Sequence, residues 1–348
     1  MLERAQVVVV GGGQAGLAAG YYLSQTDTRF AILDARTQGG ESWRERWDSL
    51  ELFTPARYSS LPGLPFPGDP DRYPGKDEVA NYLETYASKF QLPVRHDARV
   101  TSLARTDAGY RLATESGELE ADQVIVATGA YQQPHTPPIA DRLSDEVTQL
   151  HSAEYLNAEQ APAGVVLVVG SANSGVQIAR ELSGTHRVYL SRGTKLPSMP
   201  RRVLGQSLHW WGDHLGLIVA PLDSLRGRTQ RGDLIIGTSP RQLARRHGVE
   251  LLARTAAVDG RTVRFADDRA IEVGTVVWAT GFRPDYSWIH APVLDEHGAP
   301  RHRRGVTESP GLYFLGMHDQ YSRGSSLLHW VRHDAEYIVQ HAREGTRK

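Results

Sequence analysis

The sequence predicts an α/β protein built from two similar domains. Two glycine-rich turns carry this prediction, one near the N-terminus and one near residue 170, and each follows an apolar strand and precedes a helix. A third observation is that each turn is followed downstream by short alternating strands and then an apolar strand ending in Ala-Thr-Gly. Together they predict two Rossmann-like dinucleotide-binding domains of three layers (ββα).

Size and composition are those of a globular protein. The 348 residues are 40% hydrophobic, carry a formal net charge of -1 and include no cysteine. A near-neutral chain argues against nucleic-acid or anionic membrane partners, and the lack of cysteine removes thiol-based redox chemistry. The apolar run before the first turn is too short for a signal peptide, so a cytoplasmic location is expected. The histidines show no close metal-ligand spacing around a carboxylate, and no metal is predicted.

The first turn has the spacing of a pyrophosphate-binding loop. Residues 7–10 form the strand before it, and residues 30–33 form the next strand. The first glycine allows the tight turn, the second lets the backbone approach a pyrophosphate, and the third lets the helix pack on the strand. Asp34 follows Gly11 by 23 residues, where a carboxylate can bind ribose hydroxyls. The predicted contacts are Gly11, Gly13, Gln14, Ala15, Gly16, Asp34 and Ala35.

The second turn repeats this plan. Residues 165–169 form its strand, and 176–182 continue its helix. The first glycine of the turn and the glycine of the downstream Ala-Thr-Gly are 118 residues apart in the first half and 111 in the second. Such a match over so long an interval favours two related domains over accidental glycines. The predicted contacts are Gly170, Ala172, Asn173, Ser174 and Gly175.

Residues 39–50, with 51–68 and 73–87, resemble the flavin-containing monooxygenases and their plant YUCCA-type and bacterial relatives. The resemblance covers nearly the whole chain. It implies that FAD binds the N-terminal domain and that NAD(P)H binds the inserted one. The expected division is residues 1–140 and 285–348 for the FAD domain, with 141–284 for the NADPH domain.

The resemblance also implies further FAD contacts. They are Gly40, Ser42, Trp43, Val100, Ala127, Thr128, Gly129, Asp319, Ser326 and Leu327.

The chain departs from this family at two places. In the identifying motif His151 and Tyr155 fit, but Asp145 and Val147 stand where Phe and Gly are usual. We therefore interpret His151 as a linker histidine with satisfied hydrogen bonds. The active-site asparagine of the eukaryotic enzymes is missing as well. Phe53 or Thr54 falls at its place, and these two are the weak catalytic candidates.

The residues after the second strand of each half indicate the nicotinamide cofactor. Aligning the halves places Ser191 opposite Asp34, with Arg192 next. A carboxylate would repel the 2′-phosphate of NADPH, whereas a hydroxyl and a guanidinium can bind it. Serine and arginine in place of the aspartate therefore favour NADPH. Arg201 and Arg202 are further candidates for binding the 2′-phosphate.

These observations predict an FAD- and NADPH-dependent monooxygenase. By the resemblance, NADPH reduces FAD, and reduced flavin forms a C4a-(hydro)peroxide with O₂ that oxygenates a small substrate containing N, S or a carbonyl group. Residues 193–248, rich in Arg and Trp, are expected to cover the nicotinamide and line substrate access. An NADPH-dependent reductase or oxidase and a nucleotide-binding redox sensor remain open alternatives. A homodimer is one possible assembly.

Overall fold

The computed structural model describes residues 3–229 and 232–345. Its larger sheet has eight strands and combines parallel and antiparallel pairing. The strand that carries the first turn lies inside the sheet, parallel to both neighbours, Phe30–Leu33 and Gly117–Val126. In sheet order the strands are Ile289–His290, Val100–Thr106, Gly109–Thr114, Gly117–Val126, Glu3–Val10, Phe30–Leu33 and Val94–Arg95, while Leu312–Phe314 also pairs with Gly117–Val126.

The predicted meander is part of this larger sheet. Val100–Thr106, Gly109–Thr114 and Gly117–Val126 pair antiparallel in succession, and the last of them then returns beside Glu3–Val10. Val124, Ile125 and Val126 are almost completely buried, as expected for a strand covered on both faces.

The second sheet is wholly parallel and has five strands. Its order is Glu250–Leu252, Arg187–Ser191, Val165–Val169, Thr275–Trp278 and Thr148–His151. The second meander forms a separate antiparallel sheet of Thr255–Asp259, Thr262–Phe265 and Ala270–Glu272. The two halves therefore share their plan but differ in whether the meander continues the main sheet.

Helices cover the two sheets. The C-terminal helix Val331–Gly345 packs along Gln14–Ser24, and its Val331, Ala335 and Ile338 are fully buried. The α-helices are Gln14–Ser24, Glu41–Arg44, Lys76–Lys89, Asn173–Leu182, Leu208–His214, Leu225–Arg228, Pro240–His247 and Val331–Gly345. The 3₁₀ turns are Ala56–Tyr58, Pro138–Arg142, Ala158–Gln160 and Arg323–Ser326.

Three short ribbons complete the described elements. Gln133–Pro134 pairs antiparallel with Phe282–Arg283, where the chain passes from one sheet to the other and back. The other ribbons are Ser198–Met199 with Ile235–Ile236, and Arg202–Val203 with Gln206–Ser207. The expected domain boundaries, after residues 140 and 284, lie close to the first ribbon and stay a prediction. Among the helices described, none is long and apolar enough to cross a membrane.

Lys76 fixes the loop that follows the helix Glu41–Arg44. Its ammonium group donates to the carbonyls of Arg44 and Arg46 and pairs with Asp48 at 2.8 Å. The Lys76 side chain is only 10% exposed, so these partners replace water. Asp48 also accepts a bond from Asn157, so the loop is tied to the segment after the second sheet's edge strand.

We expect Lys76→Met to lower the free energy of unfolding by about 2 kcal/mol, because two carbonyls and a carboxylate lose a shared donor. Urea denaturation followed by circular dichroism measures the change. Lys89→Met is the control, since Lys89 lies at the exposed end of the same helix. Equal stability of the two variants would contradict the role given to Lys76.

Candidate functional site

The first cradle, residues 11–16, joins the central strand of the larger sheet to its helix. Gly11 has φ +113°, and a Cβ there would lie 2.5 Å from the carbonyl oxygen of Ala127. A Cβ on Gly16 would overlap the carbonyl oxygen of Gly11, so helix and turn pack backbone against backbone. A Cβ on Gly13 would meet nothing within 4 Å. The cradle is thus closed behind the turn and open at Gly13, as a bound pyrophosphate requires.

The helix Gln14–Ser24 begins at this opening with no side-chain cap. Gly13 is its N-cap residue and has extended backbone dihedrals. Uncapped N–H groups at a helix start attract an anion.

Asp34 lies beside the cradle. A Cβ on Gly12 would overlap its Oδ2, and its Oδ1 accepts the N–H of Arg36 at 3.0 Å. Its backbone carbonyl accepts the N–H of Ala98, which brings the start of Val100–Thr106 to the same edge of the sheet. The positions of Asp34, Ala35 and Val100 therefore fit the predicted ribose and adenine contacts.

The C-terminal segment reaches the first cradle from the other side. The side-chain amide of Gln14 donates to the carbonyl of Ser326 at 3.1 Å. A Cβ on Gly316 would lie 2.5 Å from the Cβ of Ala15. Asp319 follows three residues later with φ +53°, and its buried Oδ1 has no hydrogen-bond partner. Such an acceptor fits a hydroxyl group of a bound cofactor.

The remaining predicted FAD contacts differ in exposure. Gly40 lies against the backbone of Ala80, and a Cβ there would lie 2.6 Å from the Ala80 carbonyl oxygen. Trp43 is partly buried against the core, and Ser42 is exposed.

Thr128 and Gly129 hold the start of the linker that leaves the larger sheet. Gln132 donates through its side-chain amide to the Thr128 hydroxyl at 2.9 Å and to the Gly129 carbonyl.

The second cradle, residues 170–175, repeats the geometry of the first. Gly170 has φ +106°, and Cβ atoms on Gly170 and Gly175 would overlap the carbonyl oxygens of Ala279 and Gly170. Ala172 is the N-cap residue and, like Gly13, leaves the helix start without a side-chain cap. The Asn173 side chain bonds the backbone of Leu234 and Ile236, which holds the segment after the turn beside the start of the helix.

Ser191 and Arg192 are placed differently from one another. Ser191 is 1% exposed, and its hydroxyl contacts the carbonyl of Ala253, the hydroxyl of Thr255 and the Thr255 N–H. These protein groups use the whole hydrogen-bonding capacity of the hydroxyl, which argues against the predicted contact between Ser191 and the 2′-phosphate. The Nε of Arg192 is buried and has no hydrogen-bond partner, and no carboxylate pairs with Arg192 among the described residues. The predicted role therefore falls on Arg192 alone.

The two catalytic candidates, Thr54 and Phe53, differ in their surroundings. Its hydroxyl lies 3.0 Å from that of Ser59, which in turn donates to the Pro55 carbonyl. Thr54 therefore donates its hydroxyl hydrogen to Ser59. Phe53 is partly exposed and stacks on His209.

His151 has the environment expected of a linker histidine. Its Nε2 donates to the carbonyl of Gly281, and its Nδ1 accepts the N–H of Ala153. Burial lowers the pKa of His151, since the charged form loses its hydration. The interpretation of His151 as a satisfied linker histidine is confirmed.

A column of four rings was missed by the sequence analysis. We define the ring column as Phe53, His209, Trp330 and Tyr58. Successive centroids lie 5.9, 5.9 and 5.3 Å apart, with planes within 15°, 27° and 12° of parallel. The members come from three distant parts of the sequence, and no local pattern marks them. Leu327 packs against this cluster, which joins the column to the predicted FAD contacts.

The residues present fit two dinucleotides. Both cradles are closed by glycine packing and open at an uncapped helix start. The first has the Asp34 carboxylate and the unpartnered Asp319 oxygen, and the second has the unpartnered Nε of Arg192.

Comparison with known proteins agrees with this arrangement. A family model described as pyridine nucleotide-disulphide oxidoreductase matches residues 8–201. An uncharacterized oxidoreductase CzcO-like of Geobacillus kaustophilus (strain HTA426) is 47% identical over 336 residues, with 96% of this chain and 97% of the relative covered. The indole-3-pyruvate monooxygenase YUCCA1 of Oryza sativa subsp. japonica is 28% identical, with 92% and 88% covered.

Among solved structures, a flavin-containing monooxygenase from Stenotrophomonas maltophilia superimposes with a TM-score of 0.84 at 29% identity, covering 99% of both chains. These findings confirm the predicted fold class and the resemblance.

We expect Gly13→Ala to bind FAD at least about tenfold more weakly than the wild type, because the added methyl group fills the space left for phosphate. The extended backbone and open surroundings of Gly13 allow alanine, so the unfolding temperature without ligand stays unchanged. Isothermal titration of apoprotein with FAD measures the affinity. Gly193→Ala, another substitution into open space, serves as control. Wild-type affinity in Gly13→Ala would refute the site.

Proposed function

The chain belongs to the pyridine nucleotide-disulphide oxidoreductase family and is a flavin-dependent oxidoreductase, and on this basis we propose which reaction it catalyses. We propose an FAD- and NADPH-dependent monooxygenase that transfers one oxygen atom from O₂ to a small substrate containing N, S or a carbonyl group. The sequence holds no cysteine, so thiol–disulfide exchange within this chain is not the chemistry.

The observation that carries the proposal is the duplicated cradle with opposite charges beside it. The carboxylate of Asp34 suits the free ribose hydroxyls of FAD, and the guanidinium of Arg192 suits the 2′-phosphate of NADPH. Monooxygenases among the relatives, including the one named for indole-3-pyruvate, support oxygen transfer over reduction alone.

The chain's own residues would bind and orient the two cofactors. The N–H groups of residues 13–16 and 172–175 would hold the pyrophosphates, and Asp319 would accept a hydroxyl group of FAD. Bound FAD would supply the redox chemistry, taking hydride from NADPH and delivering electrons to O₂. No described side chain is required to form a covalent bond.

Residues 193–248 are the part of the NADPH domain that we call the inserted segment, and they would exclude water from the site. The N–H of Leu222 donates to the carbonyl of Tyr321, and the N–H of Gly324 donates to the carbonyl of Ile218, both at 2.9 Å. Asp213 accepts the indole N–H of Trp330 at 2.8 Å. The segment is thus fastened over the C-terminal part of the predicted FAD site, where a dry environment would protect the reaction from hydrolysis.

An NADPH oxidase or reductase without oxygen transfer is the second candidate. Phe53 offers no polar group at the position of the eukaryotic asparagine, and the Thr54 hydroxyl is engaged with Ser59. Fewer fixed polar groups near the reacting flavin would favour release of hydrogen peroxide.

We expect Arg192→Ala to raise KM for NADPH about tenfold or more and to leave KM for NADH unchanged, because a charge-assisted bond to the 2′-phosphate is lost. Steady-state oxidation of each cofactor measures this. The control is Arg187→Ala, since Arg187 begins the strand that ends just before Arg192 but pairs with Glu250 and has a side chain that is 64% exposed. If Arg192→Ala keeps the NADPH preference, the 2′-phosphate lies elsewhere.

We also expect the purified protein to be yellow and to consume NADPH and O₂ together. With a substrate present, oxygenated product per NADPH should rise and peroxide per NADPH should fall. Mass spectrometry with ¹⁸O₂ and a peroxide assay measure the two yields. If the amount of hydrogen peroxide formed equals the amount of NADPH consumed with every compound tried, the oxidase is favoured. If no NADPH is consumed, a nucleotide-binding sensor is favoured.

A further inference from the structure

The inserted segment contributes one side chain to the ring column, His209. The helix Leu208–His214 begins at Ser207, whose hydroxyl accepts the N–H of Trp210. This cap sets the first turn of the helix against Phe53 and Trp330, and His209 is 5% exposed between them. Phe53 itself stays partly exposed, so one side of the column is accessible.

The Nδ1 atom of His209 is buried without a hydrogen-bond partner. Such atoms are few, because leaving a buried polar group unpaired costs about 1–3 kcal/mol. Within the described residues two of the others, Arg192 Nε and Asp319 Oδ1, lie in predicted cofactor sites, and the rest belong to Trp47, Tyr155, Thr275 and Gln320. Like Arg192 and Asp319, His209 therefore has a buried polar atom that lacks a hydrogen-bond partner.

The charged and polar groups near His209 are already engaged. Asp213 accepts the bond from Trp330, and Arg323 donates to the carbonyl of Gly232 at 2.7 Å. Burial and the charge of Arg323 lower the pKa of His209 to about 4, so its imidazole is neutral at pH 7. A neutral ring among aromatic faces favours a neutral, apolar or aromatic ligand with one polar group.

We propose that His209 is a substrate-binding residue whose imidazole hydrogen-bonds the polar group of a small uncharged substrate, with the apolar or aromatic body of that substrate against Phe53. This assignment rests on the proposed monooxygenase function and specifies its substrate class. It also gives the inserted segment a role in substrate selection besides covering the site.

Substrate binding to the oxidised FAD-containing protein tests the proposal without turnover. Quenching of tryptophan fluorescence is titrated with methyl phenyl sulfide, N,N-dimethylaniline and acetophenone, and with their para-carboxylate counterparts. We expect at least one uncharged compound to bind about tenfold or more tightly than its carboxylate. His209→Phe keeps the stacked ring and should weaken that binding about tenfold, while His209→Gln, which keeps a hydrogen-bonding group, should restore part of it.

His214→Phe is the matched control, because His214 is the exposed last residue of the same helix and should bind as the wild type does. Wild-type binding by His209→Phe, equal weakening in His214→Phe, or binding of the carboxylates alone would each overturn the proposal. Failure of the proposed function shows elsewhere: either NADPH does not reduce the flavin of the wild type under anaerobic conditions, or all of the NADPH consumed is recovered as hydrogen peroxide with every compound. The two failures are therefore distinguishable.

Discussion

The structure depends on a close backbone contact, made twice, between the start of a helix and the turn before it. In both cradles a methyl group on the last glycine would overlap the carbonyl oxygen of the first, at Gly16 over Gly11 and at Gly175 over Gly170. This contact aims the uncapped helix N-terminus along the line of the preceding strand. It fixes where an anion can bind, and the rest of each site is arranged around that point.

Both cradles are also held from the outside by a side-chain amide at the first helical position. Gln14 bonds the C-terminal segment at Ser326, and Asn173 bonds the inserted segment at Leu234 and Ile236. The same position thus recruits a different covering segment in each half. Those two segments then bind one another through Leu222, Ile218 and Asp213, so the covers of the two cofactor sites form a continuous structure.

Two side chains of the predicted site, Ser191 and Thr54, have hydroxyl groups that already form hydrogen bonds within the protein. Alignment predicts the roles of Ser191 and Thr54 from where each residue falls along the chain, and it carries no information on where its oxygen points. In a buried position a hydroxyl must bond to its surroundings, and both do so with protein groups, at Thr255 and Ser59. Arg192, whose long side chain extends beyond the strand, keeps its capacity for a ligand.

Sequence patterns alone predict the two cradles, their strands and helices, the meanders, and the contrast between Asp34 and Arg192. These follow from local rules, since glycine spacing, strand apolarity and chain reach act over a few residues. Folding brings His209, Phe53, Trp330 and Tyr58 into one column and leaves atoms of Asp319 and His209 unpaired, and no sequence pattern predicts either. Side-chain stacking and hydrogen bonding depend on packing between segments that are far apart in sequence. Such contacts leave no periodic pattern in the sequence from which the contacting residue could be predicted.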